Sequence, residues 1–214
     1  ASVSDISDII KIFEIESGLA IVTKNTWAGL KASKQIKIKW DEGEAAGLDD
    51  EKIRKDLIEA SKEKGSVVRK EGNVKKALKS SKNIIEAMYE SPLQAHATME
   101  PMNCTAYVQK DKCEVWAGTQ DPNGARKIAS KITGLSKKQV EVNVTFLGGG
   151  FGRRAFNDYV SEAVEISNEM KKPVKMIWSR EEDMQHDYYR PSSVHVMVGA
   201  FDQNNNITTF KHRI

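Results

Sequence analysis

The sequence lacks most of the features that mark specialised classes of protein. Its 214 residues include only 2 Cys and 5 Pro, too few for a disulfide scaffold or a Pro-rich disordered chain. No apolar run reaches the roughly 18 to 20 residues of a membrane span, and residues 1–5 have neither the basic nor the apolar region of a signal peptide. We therefore expect a globular chain without a membrane span, and the sequence leaves its compartment open between cytoplasm and periplasm.

An excess of charge of one sign is also missing. The 33 Lys and Arg residues face 30 Asp and Glu residues, which leaves a net charge of +3. Basic and acidic residues alternate through residues 49–82, as on a solvated helical surface. So weak a field predicts no nucleic-acid partner.

Patterns for metal binding and nucleophilic catalysis are absent too. Cys104 and Cys113 lack the CxxC spacing of a zinc site, so we expect two buried thiols, with a disulfide between neighbouring strands as the alternative. The 4 His residues lie far apart in the sequence, and no Ser/His/Asp or Cys/His spacing stands out. We therefore predict no metal-ligating side chains and no hydrolytic site.

What is present is a mixture of strand and helix patterns, which predicts an α+β fold without internal repeats. Residues 1–45 form a β-β-α-β piece whose last strand is the alternating stretch Ile36–Trp40. Residues 46–80 are rich in Lys, Glu and Ser and form a charged helical connector. Residues 81–214 contain the larger domain, in which strands and helices follow one another and build mixed sheets.

The most informative stretch is the loop LGGGFGRR at residues 147–154. It follows a buried strand, precedes a helix, and places Gly at four of the five positions 148–152. Glycine costs folding entropy, so such a loop requires positive φ, close backbone approach, or both. Its backbone N–H groups could hold an anion or an oxo ligand. The loop matches neither nucleotide motif, because it lacks the GK[ST] ending and Phe151 replaces a small residue.

Three further motifs lie at the ends of predicted strands. The segment WAGTQDP at 116–122 places Gln120 where a strand passes into a helix, so that its amide can donate to an oxo or hydroxyl group. The segment HATMEPMN at 96–103 combines His, Glu, Met and Pro, and its structural interpretation is a rigid connection filled by Met. In WSREED at 178–183, Ser179 and Glu182 have the spacing of a capping box.

These four motifs, in their order along the chain, resemble the large, molybdopterin-binding subunit of the xanthine dehydrogenase and aldehyde oxidase group of molybdenum hydroxylases. The resemblance is strongest to the isoquinoline 1-oxidoreductase beta-subunit type. Arg190-Pro191 also fits, and Asn25–Ala28 and Ile38–Gly43 look like the end of that family's α/β hammerhead domain. The resemblance thus implies a partial hammerhead-like piece followed by the first part of a molybdenum cofactor-binding domain.

The resemblance also implies roles for individual residues. Gln120 would lie near the molybdenum, and Gly149, Gly150, Phe151 and Gly152 would approach the metal's ligands and the pterin through their backbone. Phe151 would also shape the substrate channel. The cofactor would be molybdopterin, as the cytosine dinucleotide, and it would perform a two-electron hydroxylation while the protein supplies orientation and electrostatics.

Two departures limit this inference. Xanthine-type members follow the glycine loop with a small residue, Lys and a substrate-facing Glu, whereas this chain has Arg153, Arg154 and Ala155, which argues against purine binding of that kind. The family's catalytic Glu lies far downstream of the matched motifs. We therefore expect this chain to be a fragment that is inactive by itself and holds no cofactor when isolated.

For the whole protein, the resemblance implies an oxidoreductase that oxidises an aldehyde or an N-heterocycle with water as the oxygen source. An iron-sulfur subunit would receive the electrons. Two other hypotheses stay open at this point. One is a stand-alone binding or assembly domain that kept the scaffold without the cofactor, and the other is an unrelated nucleotide-binding enzyme that uses the glycine loop.

Overall fold

The computed structural model describes residues 8–214. The chain forms two compact units, and each is discontinuous in sequence. One unit combines residues up to Trp40 with Ala95–Tyr188, and the other combines Asp41–Gln94 with Tyr189–Ile214. The sequence analysis assigned residues 1–45, 46–80 and 81–214 to three kinds of domain or connector. The two compact units do not test that assignment, so it stays a prediction.

The structure confirms an α+β fold with mixed sheets. Short 3-10 turns lie at Gly43–Ala45, Lys137–Gln139 and Arg153–Ala155. The strands and helices, in chain order, are β1 (Ile9–Ile15), β2 (Gly18–Thr23), α1 (Thr26–Gln35), α2 (Asp50–Ala60), α3 (Val74–Ser80), β3 (Asn83–Ser91), β4 (Asn103–Val108), β5 (Cys113–Ala117), α4 (Pro122–Thr133), β6 (Val140–Val144), α5 (Asp158–Met170), β7 (Val174–Ile177), α6 (Arg180–Gln185), β8 (Ser193–Phe201) and β9 (Ile207–Arg213).

The N-terminal piece of the first unit is an antiparallel β1-β2 hairpin followed by α1. Asn25 caps α1, its side chain accepting the Ala28 N–H. The predicted strand at Ile36–Trp40 is wrong, since this stretch forms no strand and the Trp40 side chain is 63% exposed. Alternating hydrophobicity shows which face a side chain prefers, but a strand also needs the hydrogen bonds of a neighbouring strand.

The core of the first unit is a four-stranded sheet in the order β6-β5-β4-β7. β5 and β6 are parallel, whereas β4 runs antiparallel to both β5 and β7. Helices α4 and α5 pack against each other, and α5 covers β4. Burial of each large apolar side chain in such a core stabilises the fold by roughly 1.5 to 3 kcal/mol. The buried side chains of α5 include Tyr159, Val160, Ala163 and Val164.

The sheet also explains why the two thiols stay free. Cys104 and Cys113 are both fully buried in this core and form no disulfide. The register pairs Cys113 with Val108, so Cys104 lies several residues further along the neighbouring strand. The interpretation as two small buried side chains is therefore confirmed.

The second unit contains a three-stranded antiparallel sheet in the order β3-β8-β9. Strands β8 and β9 form an antiparallel hairpin. Helix α2 packs against β8 and α3 against β9, so the Lys- and Glu-rich segment contributes helices to this unit. In the part of the chain that the structure describes, no helix is long and apolar enough to cross a bilayer.

The sheet of the first unit sets the position of the main motifs. Because β5 and β6 are parallel neighbours, their carboxyl ends lie at the same edge of the sheet. The loop after β5 contains Gln120, and the loop after β6 contains the glycines. The Thr145 N–H donates to the Ala117 carbonyl at 3.2 Å, which ties the starts of the two loops together.

Candidate functional site

Each glycine within residues 148–152 is required at its position for a specific physical reason. Gly149 and Gly152 have φ of +99° and +101°, a region that L side chains rarely adopt. A Cβ on Gly148 would lie 2.5 Å from the Glu100 Cβ, and one on Gly150 would lie 2.6 Å from Gln120 Oε1. Two positions thus need positive φ and two need close approach, which confirms the expectation for this loop.

The loop leaves three consecutive backbone donors free. The Gly148 N–H donates to Glu100 Oε2 at 2.8 Å, and the Gly152 N–H donates to Gln120 Oε1 at 3.1 Å. Between these anchors, the N–H groups of Gly149, Gly150 and Phe151 have no acceptor among residues 8–214. A cluster of backbone donors in a glycine-rich turn is a concave site for anionic or oxo groups.

Phe151 is held in a strained conformation within this loop. Its φ is +54°, which is uncommon for a residue with a Cβ, and its side chain is 70% exposed. The ring lies over Gly149, where an added Cβ would be 3.2 Å from Phe151 Cε2. Strained backbone of this kind is concentrated at functional sites.

Gln120 contacts the glycine loop at two points. Its backbone N–H donates to the Arg154 carbonyl at 3.0 Å, while its side-chain oxygen accepts the Gly152 N–H. With the oxygen engaged, the side-chain NH₂ has no acceptor in the described part of the chain. The structure therefore brings Gln120 beside the glycines and leaves an amide donor available.

Arg154 is the residue that joins the motifs, and the sequence interpretation missed it. Its side chain is only 1% exposed, and its guanidinium donates to the carbonyls of Gly149, Gly118 and Glu100 and to the Glu100 carboxylate. These acceptors belong to three different motifs. The sequence does contain a signal for this residue, the pair of Arg residues directly after the glycines. The sequence analysis interpreted that pair only as a difference from xanthine-type members.

Glu100 anchors the other end of the same network. Burial raises the pKa of its carboxyl, but hydrogen bonds from the Gly148 and Asn103 amides and the charge of Arg154 outweigh that effect. The pKa of Glu100 therefore lies below its ordinary value, and the group is a charged acceptor at neutral pH.

Arg153 is buried beside Arg154 but points to different partners. It forms a two-pronged ion pair with Asp158 at 2.8 and 2.9 Å, and its Nε lies 3.0 Å from Asp187. Burial lowers the pKa of Arg153, yet the Asp158 hydrogen bond and the nearby carboxylates outweigh burial and raise it. Its guanidinium also lies over the rings of Trp178 and Tyr188.

The WSREED motif forms hydrogen bonds with the HATMEPMN motif. The predicted capping box is confirmed, because Ser179 and Glu182 exchange side-chain and backbone hydrogen bonds at the start of α6. Arg180 donates to the carbonyls of Thr98 and Met99 at 2.5 and 2.9 Å. All four motifs therefore meet in the first unit around the glycine loop.

The donors at this site are backbone amides and a carboxamide rather than metal-ligating side chains. No group of three or more His, Cys, Asp or Glu side chains in residues 8–214 is arranged to hold a metal ion. The arrangement is suited to binding a group that carries its own anionic or oxo oxygens.

Several known proteins are similar to this chain in sequence. The chain is 28% identical over 203 residues to a membrane-bound aldehyde dehydrogenase [pyrroloquinoline-quinone] from Gluconacetobacter polyoxogenes, covering 93% of this chain and 26% of that protein. It is 30% identical over 127 residues to the isoquinoline 1-oxidoreductase subunit beta from Brevundimonas diminuta, covering 58% of this chain and 16% of the relative. The chain thus spans about a quarter or less of the length of these relatives.

Solved structures show the same fold at low sequence identity. Quinoline 2-oxidoreductase from Pseudomonas putida 86 matches with a TM-score of 0.66 and 17% identity, over 91% of this chain and 26% of that one. Aldehyde oxidoreductase from Desulfovibrio gigas matches with a TM-score of 0.65 and 15% identity, over 89% of this chain and 22% of that one.

A family model completes the comparison. The model described as the molybdopterin cofactor-binding domain matches residues 59–214, which include the glycine loop and the three other motifs. The resemblance noted from the motifs is therefore confirmed, and the chain belongs to the molybdopterin cofactor-binding domain family.

Proposed function

We propose that the glycine loop holds the anionic, oxo-rich end of a molybdopterin cofactor through its backbone. The observation that carries this proposal is the run of three free N–H groups at Gly149, Gly150 and Phe151, with both ends of the loop anchored. Backbone donors suit such a group because they offer hydrogen bonds without a side chain that titrates. The residues present fit the cofactor that the family binds.

Within this site, Gln120 would lie near the molybdenum and donate through its free NH₂. Gly152 would shape the cradle by its positive φ and by its hydrogen bond to Gln120. The exposed ring of Phe151 would form one wall of the substrate channel. The bound cofactor supplies the two-electron hydroxylation chemistry, and these residues orient it and stabilise developing charge.

For the whole protein, we propose a molybdenum hydroxylase that oxidises an aldehyde or an N-heterocycle, takes the oxygen from water and passes two electrons to an iron-sulfur partner. The names of the relatives, an aldehyde dehydrogenase and an isoquinoline oxidoreductase subunit, support this substrate class. The chain by itself is proposed to be inactive, because the family resemblance places the catalytic Glu outside the matched motifs.

The test is a cofactor and activity analysis of the full-length protein from its source. Expected results are molybdenum by elemental analysis, a fluorescent oxidised pterin after denaturation, and CMP on hydrolysis if the cofactor is the cytosine dinucleotide. In H₂¹⁸O, the product of aldehyde or N-heterocycle oxidation should carry ¹⁸O. Isolation of a complex should also recover iron and acid-labile sulfide.

The outcomes separate the alternatives. A protein that contains neither molybdenum nor pterin, but is folded and bound to a partner, supports an assembly domain without cofactor. A quinone without molybdenum would favour the chemistry in the name of the first relative. Measurable molybdenum-dependent oxidation by the purified chain of 214 residues would contradict the proposed inactivity.

A further inference from the structure

A buried histidine lies next to the glycine loop and has no place in the function described so far. His96 is the first residue of the HATMEPMN motif, and its side chain is 8% exposed. Its backbone N–H donates to Asp187 Oδ2 at 2.5 Å, and its ring Nδ1 lies 3.0 and 3.1 Å from the two Asp187 oxygens. The Asp187 side chain is fully buried. One carboxylate therefore fixes both the backbone and the ring of His96.

This contact decides which nitrogen of the neutral ring carries the proton. Asp187 is also ion-paired with Arg153, whose Nε lies 3.0 Å from Asp187 Oδ1. A carboxylate only accepts hydrogen bonds, so Nδ1 of His96 is the donor in its contact with Asp187. The other nitrogen, Nε2, then carries a lone pair and is an acceptor.

The Nε2 acceptor is directed at the glycine loop and has no protein partner. No residue of the range 8–214 forms a hydrogen bond with it. A Cβ built on Gly152 would lie 3.7 Å from Nε2, so this nitrogen faces the residue that ends the glycine loop. Polar atoms of side chains that are nine-tenths buried ordinarily have a hydrogen-bond partner. Nε2 is therefore available to a donor group of a molecule bound at the loop.

The two ends of the glycine loop thus differ in hydrogen-bonding character. The free N–H groups of Gly149, Gly150 and Phe151 only donate, whereas Nε2 of His96 beside Gly152 only accepts. An oxo or anionic oxygen fits the backbone donors but is repelled by the lone pair of Nε2. A molecule that satisfies both ends must combine such oxygens with an N–H group. A pterin cofactor has this combination, because its ring carries N–H groups and its metal end carries the oxygens.

We propose that Nε2 of His96 accepts a hydrogen bond from an N–H group of the pterin, and that Asp187 is the residue that positions the ring. The inference rests on the proposed function. It gives the cofactor a direction along the loop, with the oxo-rich end at residues 149–151 and a pterin N–H toward Gly152. His96 is then a cofactor-binding residue.

The experiment follows pterin release from the full-length protein and from variants that separate the two ring nitrogens of His96. Bound pterin is measured over time by fluorescence after oxidation, together with molybdenum content. His96→Asn keeps an amide N–H that can donate to Asp187 but has no atom in the place of Nε2. This variant should release pterin about tenfold faster than wild type, because one hydrogen bond is lost. His96→Phe fills the ring volume without nitrogens and should release pterin at a similarly raised rate.

His96→Gln is the rescue variant, because its carboxamide oxygen extends toward the place of Nε2 and can accept. Its release rate should stay within about threefold of wild type. His212→Asn is the matched control, since His212 belongs to the second unit and its replacement should leave pterin release unchanged. Thermal unfolding of each variant without cofactor shows whether the fold is intact.

A measurement on the wild-type protein decides the question even if His96 variants do not fold. Solid-state NMR of the full-length protein with ¹⁵N-labelled His and Ala distinguishes a ring nitrogen that carries a proton from one that does not. The His96 signals are assigned through their backbone correlation with Ala97. We expect an unprotonated Nε2 whose resonance moves when the cofactor is removed.

The outcomes separate this inference from the proposed function. Wild-type pterin release from folded His96→Asn and His96→Phe would overturn the role of His96 and leave the proposed function standing. Fast release from His96→Phe alone would show only a structural contact with Asp187 and would overturn it as well. So would a protonated Nε2, or a resonance that cofactor removal does not move. A wild-type protein without pterin and molybdenum overturns both the proposed function and this inference.

Discussion

Arg154 donates two hydrogen bonds of 2.8 Å to Glu100, one to its carbonyl and one to its carboxylate, across 54 residues of sequence. The same carboxylate oxygen accepts the Gly148 N–H. A single ion pair thus fixes the start of the glycine loop relative to the HATMEPMN motif. The loop geometry on which the proposed cofactor site depends is therefore held by a long-range contact from a buried guanidinium.

Replacement of Arg154 by Met should strongly destabilise the protein. The change leaves three carbonyls and the Glu100 carboxylate, whose side chain is 39% exposed, without their buried donor, and a buried polar group left unsatisfied costs about 1 to 3 kcal/mol. Urea unfolding followed by circular dichroism measures the loss in free energy of unfolding. Arg69→Met is the control, because Arg69 and its partner Glu71 are both exposed. Equal stability of the two variants would refute the structural role of Arg154.

Gln120→Glu should separate the two functions that we assign to this side chain. A carboxylate oxygen can still accept the Gly152 N–H, but the amide donor directed to the site is lost. We expect turnover of the full-length enzyme to fall about 100-fold, with pterin content largely retained. Gln120→Ala should lower turnover as well and also release the Gly152 contact. Unchanged steady-state kinetics in both variants would remove Gln120 from the site.

Gly150→Ala should reduce molybdenum and pterin content. The backbone of Gly150 is not in the positive-φ region, so the effect is steric, from a Cβ placed 2.6 Å from Gln120 Oε1. The loop or Gln120 must then move away from its present position. Elemental analysis and pterin fluorescence measure the loss. Gly65→Ala is a matched control, since its Cβ would meet nothing within 4 Å, and full cofactor occupancy in Gly150→Ala would contradict close backbone approach.

Glu162 should make stability depend on pH. It is buried on α5 and accepts hydrogen bonds from Ser17 Oγ and Trp178 Nε1, both at 2.6 Å. Burial raises the pKa of Glu162 above 4.5, only partly opposed by these hydrogen bonds. The folded state therefore keeps a proton that the unfolded state has lost, and this contribution to stability declines as pH rises above about 4.5 through the raised pKa.

Glu162→Gln removes this titration while keeping the shape of the neutral acid. Urea unfolding at a series of pH values should show a flatter decline between mildly acidic and neutral pH than in the wild type. Glu63→Gln, at an exposed position, serves as the control and should keep the wild-type slope. If Glu162→Gln keeps that slope too, another group causes the dependence.

Local signals in the sequence were sufficient for most elements. Helix α4 spans Pro122–Thr133, with Asp121 as its N-cap and Gly134 in the left-handed conformation at its end. These features depend on neighbours within a few residues, which the sequence displays directly. Residues 36–40 also carry a clear local pattern, the alternation of apolar and polar residues that predicted a strand. A strand, however, needs a neighbouring strand, and a local pattern carries no information about one.

The sequence by itself determined the class of fold, the four motifs and, through their resemblance to a family, the kind of cofactor. It also showed that the glycines must serve conformation or close approach. Only the tertiary structure decided which glycines serve positive φ and which serve close approach. Close approach depends on Glu100 and Gln120, which are distant in sequence from the loop. The same holds for Arg154. A charged residue after a loop is ordinarily exposed, and only the convergence of three carbonyls and a carboxylate makes its burial favourable.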